Sequence, residues 1–127
     1  MLAQYFIPKK VESLNKFNNK KSRWAYKDFR DSWYKAMALF VGSAKKMYEP
    51  GIYIYFIRIY DGRSKIIDKD NAFGATKPAR DYLVKAGFIK DDSPRYIDYW
   101  VTQRQAVKGE KEGLIIIFDD KLDINLI

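Results

Sequence analysis

The sequence predicts a mixed α/β (α+β) fold, a mixed β-sheet packed against two helices, and three observations point there. Between Tyr26 and Ala44 the apolar residues Tyr26, Phe29, Trp33, Met37, Phe40, Val41 and Ala44 recur at steps of three and four, the stripe of an amphipathic helix. Ile52 to Tyr60 is a nine-residue run of Ile, Tyr and Phe broken only by Arg58. Such a run reads as a strand buried on both faces at the centre of a sheet. A second helical stripe, Ala79, Tyr82, Leu83 and Ala86, separates that strand from two further extended stretches.

Taken in order, Gln4 to Ile7 is a short apolar strand stopped by Pro8, and residues 9 to 21 are polar, rich in Lys and Asn, and read as a basic N-terminal loop. Ser22 is placed to cap the first helix, and Gly42-Ser43 either ends it early or is tolerated within it. Glu49-Pro50-Gly51 is a turn into the central strand, which Asp61-Gly62 breaks. Lys65 to Asp70 reads as a second extended piece. Thr76 is placed as the cap of the second helix, with Pro78 in its first turn and Gly87 at its end. Arg95 to Val107 alternates as a long strand, Lys108 to Gly113 is a charged turn, and Leu114 to Phe118 is the return strand of that hairpin. Asp119 to Ile127 mixes acids with Leu122, Ile124, Leu126 and Ile127, a segment suited to pack on the domain or on a partner subunit.

With 127 residues, 47% of them hydrophobic, the chain suits one domain spanning 1–127. It has no cysteine and no histidine. That removes disulfides, thiolate and imidazole ligands, and a histidine base. A metal here takes oxygen ligands, and a base is Asp, Glu, Lys, Tyr or water. No apolar run approaches the length of a membrane span and no signal-peptide pattern opens the chain, so a cytoplasmic protein with no membrane partner is expected.

The net charge of +8 is concentrated near the N-terminus. Nine basic residues between Lys9 and Lys35 face three acids, a local net of +6, interleaved with Trp24, Tyr26, Trp33 and Tyr34. A phosphate backbone is the natural partner of such a block. Lys16, Lys20, Lys21, Arg23, Lys27 and Arg30, with Arg63 and Lys65 further on, are the candidate nucleic-acid contacts. The aromatic stripe itself is expected in the core, and lysines that merely solvate a helix face remain the plain alternative.

Asp68-Lys69-Asp70-Asn71 carries the chemistry. On an extended chain Asp68 and Asp70 share one face with Cα atoms roughly 7 Å apart at about 3.3 Å per residue. Two carboxylates that close repel unless a cation joins them, and a hard divalent ion with oxygen ligands removes the repulsion. Asp91-Asp92, beyond the second helix, adds two more acids. Lys77 opens that helix, where a cation is disfavoured by the macrodipole and is therefore a candidate for function. Carboxylates in a basic protein suit phosphodiester hydrolysis with Mg²⁺ (or Mn²⁺), which requires neither histidine nor cysteine.

These residues also carry a resemblance. Asp68-Lys69-Asp70-Asn71, then Lys77, then Asp81-Tyr82-Leu83-Val84-Lys85-Ala86-Gly87-Phe88-Ile89-Lys90-Asp91-Asp92, resembles the core motif of the RusA family of Holliday-junction resolvases. Ile7-Pro8 and Ser13-Leu14-Asn15 are similar to that family's N-terminal strand and loop. The resemblance implies a homodimeric, RusA-like, Mg²⁺-dependent endonuclease that makes paired cuts at four-way DNA junctions, in a bacterial or phage-infected cytosol. It implies Asp68, Asp70 and Asp92 as catalytic metal ligands, Asp91 as a supporting acid, and Lys77 as a catalytic or phosphate-contacting cation. Five residues separate Asn71 from Lys77, where the family pattern has about two, and the residues just before Asp68 are Ile66 and Ile67 rather than a basic run. A non-catalytic nucleic-acid-binding protein, or a small dimeric scaffold of a phage replication complex, stands beside this reading.

Overall fold

In a computed structural model of the chain, residues 1–13, 22–62 and 66–127 are described, with 22–24 described by backbone alone. The elements are β1 (Ala3–Ile7), α1 (Ser22–Phe40), β2 (Ile52–Tyr60), α2 (Lys69–Ala75), α3 (Lys77–Lys85), β3 (Ile97–Gln105), β4 (Gly113–Asp119) and a terminal 3₁₀ turn (Ile124–Leu126). Four strands form one mixed sheet in the order β1-β4-β2-β3. β4 is antiparallel to both β1 and β2, whereas β2 and β3 run parallel. The mixed α+β class is therefore as expected, with a third, short helix added.

The strand of highest apolar density takes the centre. Ile54, Tyr55 and Phe56 of β2 have no exposure at all, because β3 and β4 flank them, helices cover the face of Ile54 and Phe56, and the C-terminal segment lies on the other, where Tyr55 Oη donates to the Lys121 carbonyl and accepts the Asp123 N–H. α1 lays Phe29, Trp33 and Met37 into the core, where they meet Leu83 of α3 and Phe118 of β4. The helix ends at Phe40, its last carbonyls closed by the N–H groups of Val41 and Gly42 onto the Met37 carbonyl. Gly42 has φ +77°, a left-handed conformation that glycine adopts without the Cβ clash. Among the described residues no helix is long and apolar enough to cross a membrane.

Three local expectations are corrected. β3 and β4 are consecutive but do not pair: β2 lies between them, since the most apolar strand gains most from two neighbours and β3 can reach its far side running parallel. The predicted extended piece Lys65 to Asp70 gives way to helix from Lys69 onward. α1 starts at Ser22 itself rather than one residue after a Ser22 cap. Most of the basic loop at 9–21 lies outside the described residues.

Candidate functional site

Asp68 does not lie on a strand with Asp70; it caps a helix. Its backbone is extended (φ −66°, ψ 163°), and its side chain accepts the backbone N–H of Asn71 at 2.8 Å. The Asn71 side-chain amide donates to the other oxygen at 2.7 Å. These two bonds, the backbone one first, hold the Asp68 carboxyl below the usual carboxylate range, so it is ionised at neutral pH. Asp70 follows in the first turn, exposed like Asp68. Asp68 and Asp70 do not share one face of an extended chain, because an Asp followed three residues later by an Asn side chain that returns to it satisfies helix-start N–H groups that an extended chain would leave to water.

The approach to Asp68 is fixed from the sheet. The Gln103 side chain on β3 accepts the Ile67 N–H at 3.1 Å and donates to the Ile67 carbonyl at 2.6 Å, treating that residue as a strand neighbour would. Gln103 is itself oriented by the buried Arg58 of β2, whose guanidinium donates to its Oε1 at 3.0 Å and to the Val11 carbonyl at 2.9 Å. A guanidinium 3% exposed at the sheet centre needs such partners. Burial pulls its pKa down, and Glu112 and Tyr60 partly restore it.

The other end of α2 is fixed from α3. Arg80, 7% exposed, donates through Nη2 to the Phe73 carbonyl at 3.0 Å and through Nε to Thr76 Oγ1 at 3.3 Å. Its guanidinium lies 4.0 Å from the Phe73 ring centroid and 5.5 Å from that of Tyr99 on β3. Thr76, expected as a side-chain cap for α3, instead donates its hydroxyl backward to the Phe73 carbonyl at 2.7 Å.

Asp91 and Asp92 lie in the turn before β3. Asp91 accepts the Ser93 N–H at 3.0 Å. Asp92 is half-buried, and its charge bears on both Tyr99 and Arg80. Burial first, and Asp92 second, push the Tyr99 hydroxyl well above the usual phenol range, and Arg80 opposes them. Tyr99 Oη is buried with no hydrogen-bond partner. For Arg80, burial lowers the pKa, while Tyr99 and then Asp92 raise it.

Lys77 is the first residue of α3, as expected, and its ammonium meets Asp81 one turn on at 3.3 Å, a surface pair. Of the expected nucleic-acid contacts, Lys27 and Arg30 lie on α1, where Arg30 pairs with Asp31 at 3.4 Å and stacks over Tyr34. Lys16, Lys20, Lys21, Arg63, Lys65 and the Arg23 side chain lie outside the described residues.

The donor set matches a hard cation in kind: Asp68 and Asp70 offer exposed carboxylate oxygens within one helical turn, and each Asp68 oxygen keeps a lone pair beyond its bond to Asn71. Mg²⁺ is commonly held by one or two carboxylates with water and substrate phosphate completing the shell. Among the described residues, no three of Asp, Glu, Cys or His gather as one metal-holding group, so Asp92 is not drawn together with Asp68 and Asp70. Sequence reasoning missed Arg58, Arg80, Tyr99 and Gln103. Two signals for them exist: a lone Arg in the apolar run Ile52 to Tyr60, and an Arg80 three residues before Leu83 on the buried side of its helix. No known protein-family model matches the chain, and no curated protein is similar to it.

Proposed function

We propose that this chain is a Mg²⁺-dependent endonuclease that resolves four-way DNA junctions by paired phosphodiester hydrolysis, working as a homodimer in the cytoplasm. One arrangement carries the reading. Asp68 and Asp70 open α2 as exposed carboxylates, Asp68 braced by Asn71, while the charge of Asp92 bears on Arg80, the side chain that grips the other end of the same helix. The order of these acids, and the spacing from Lys77 to Asp92, also resemble those of the RusA family.

Asp68 and Asp70 would hold the ion, with water and a substrate phosphate completing its shell, and Asp91 and Asp92 would stand behind them as supporting acids. When bound, Mg²⁺ polarises the scissile phosphate and lowers the pKa of a water. The chain's own contributions are positional. Asn71 keeps both Asp68 oxygens turned to one side, and Gln103 keeps Ile67 from drifting. Lys77, 53% exposed and paired only at the surface, can exchange Asp81 for a phosphate oxygen at small cost. The excess of basic residues between Lys9 and Lys35 supplies sequence-independent grip on the polyanion. Two opposed strands need two equivalent sites about a two-fold axis, which a dimer provides.

A second reading, a nucleic-acid-binding protein without cleavage, is favoured by the separation of Asp92 from the other two acids among the described residues. Incubating the protein with a synthetic four-way junction and with its linear arms, in Mg²⁺ or in EDTA, separates the two. The resolvase reading expects paired nicks in the junction with Mg²⁺ alone, and intact linear arms. Binding without cleavage in either metal would select the second reading.

A further inference from the structure

The buried Arg80 is tied by hydrogen bonds to α2 and by a ring contact to β3. Its guanidinium has three kinds of partner. Two nitrogens donate to the C-terminal turn of α2, at the Phe73 carbonyl and Thr76 Oγ1. Its flat face covers the Phe73 ring. Its charge lies 5.5 Å from the Tyr99 ring centroid on β3, and the charge of Asp92 bears on it. A cation this buried is costly unless its donors and its charge are both answered. Lysine at this position could answer the charge but lacks the planar fork that reaches two acceptors at once.

Gln103 fixes the start of α2 through Ile67, and the buried Ala72 and Ala75 seat its inner face, but apolar packing leaves the direction of its C-terminal turn to hydrogen bonds. Isolated helices this short are not stable on their own. Arg80 supplies the second polar anchor, at the end of α2 opposite Asp68 and Asp70.

We propose that Arg80 is the positioning residue of the acidic site, clamping the C-terminal turn of α2 to β3 so that the helix that opens with Asp68 and Asp70 keeps one orientation. It touches neither substrate nor metal in this role; it acts through α2. The buried Tyr99 hydroxyl, lacking a partner of its own, lies in the wall against which Arg80 closes. The inference rests on the site proposed above, and deepens it by naming what sets its geometry.

The test compares Arg80→Lys with Leu83→Ala, a cavity at a fully buried site on the same helix that leaves the clamp untouched. Two quantities are read on the full-length protein: amide hydrogen exchange across residues 69–75, and Mn²⁺ affinity by electron paramagnetic resonance without DNA. The clamp predicts that Arg80→Lys speeds α2 exchange at least tenfold more than α3 exchange, and weakens Mn²⁺ binding about tenfold. Leu83→Ala should lower overall stability with Mn²⁺ affinity near that of wild type. If Arg80→Lys leaves α2 exchange and Mn²⁺ affinity unchanged, or if Leu83→Ala weakens Mn²⁺ equally, Arg80 is merely structural and the clamp is overturned while wild-type Mn²⁺ binding leaves the site reading standing. If the wild type itself binds no Mn²⁺, the site reading falls, and the positioning role with it.

Discussion

Ile54, Tyr55 and Phe56 in β2 have no solvent exposure and are held by neighbours on both faces, whereas Asp68, Lys69 and Asp70 at the start of α2 keep theirs and are held by hydrogen bonds at the helix's two ends. Apolar packing is non-directional and tolerates a small shift in any one partner. A hydrogen bond to a particular carbonyl does not, because its strength falls steeply with angle and distance. The sheet centre therefore sets whether the chain folds, and the α2 corner sets where its carboxylates point. Mutations in the two regions should separate stability from metal-dependent activity.

The largest stability loss is expected at the centre. Phe56→Ala removes a wholly buried ring and should lower unfolding free energy by about 3–5 kcal/mol in a urea titration, while the folded fraction keeps wild-type cleavage per molecule. Gln103→Leu is the inverse case. It strips the Ile67 N–H and carbonyl of their partner, which costs about 1–3 kcal/mol. Cleavage of the junction should fall by more than that stability loss explains, with metal-free binding of the junction retained.

Smaller still is Lys77→Met. Its surface pair with Asp81 contributes only a few tenths of a kcal/mol, roughly, to folding. If Lys77 contacts a phosphate, the same change should flatten the salt slope of DNA binding by about one; an unchanged slope would confine Lys77 to its pair with Asp81. The slightest effect is expected from pH. Asp68 has a depressed pKa in the folded chain, so its cap contributes above the ordinary value of 3.8 and is lost as pH falls through the lower folded value. Intrinsic-rate-corrected exchange at Asn71 should be flat from pH 8 to 5 and accelerate only below about pH 4; acceleration near pH 6 would assign the effect to another group.

The two regions also differ in how legible they were. The aromatic stripe of α1 and the apolar run of β2 are long enough for periodicity and density to declare themselves, and both lie where expected. α2 is seven residues with a glycine at 74, too short to show a period of 3.6, so its acids look like those of an extended chain. Strand partners were similarly hidden, since alternation places a strand in a sheet without saying beside which neighbour, and β3 and β4 were joined as a hairpin across the place β2 occupies. The acids themselves were visible as hard-oxygen donors. Arg58, Gln103, Arg80 and Tyr99 were not, because each acts on a residue far away in sequence or on another element.

Asp70→Asn tests the central claim most directly, because it removes one carboxylate charge from the corner while keeping size and hydrogen-bonding capacity. On a synthetic four-way junction in Mg²⁺, the substitution should abolish cutting and leave binding equal to wild type or tighter, since a negative charge facing phosphate has been removed. An Asp70→Asn protein that cuts the junction as well as wild type would contradict the assignment of this corner as a metal-dependent nuclease site.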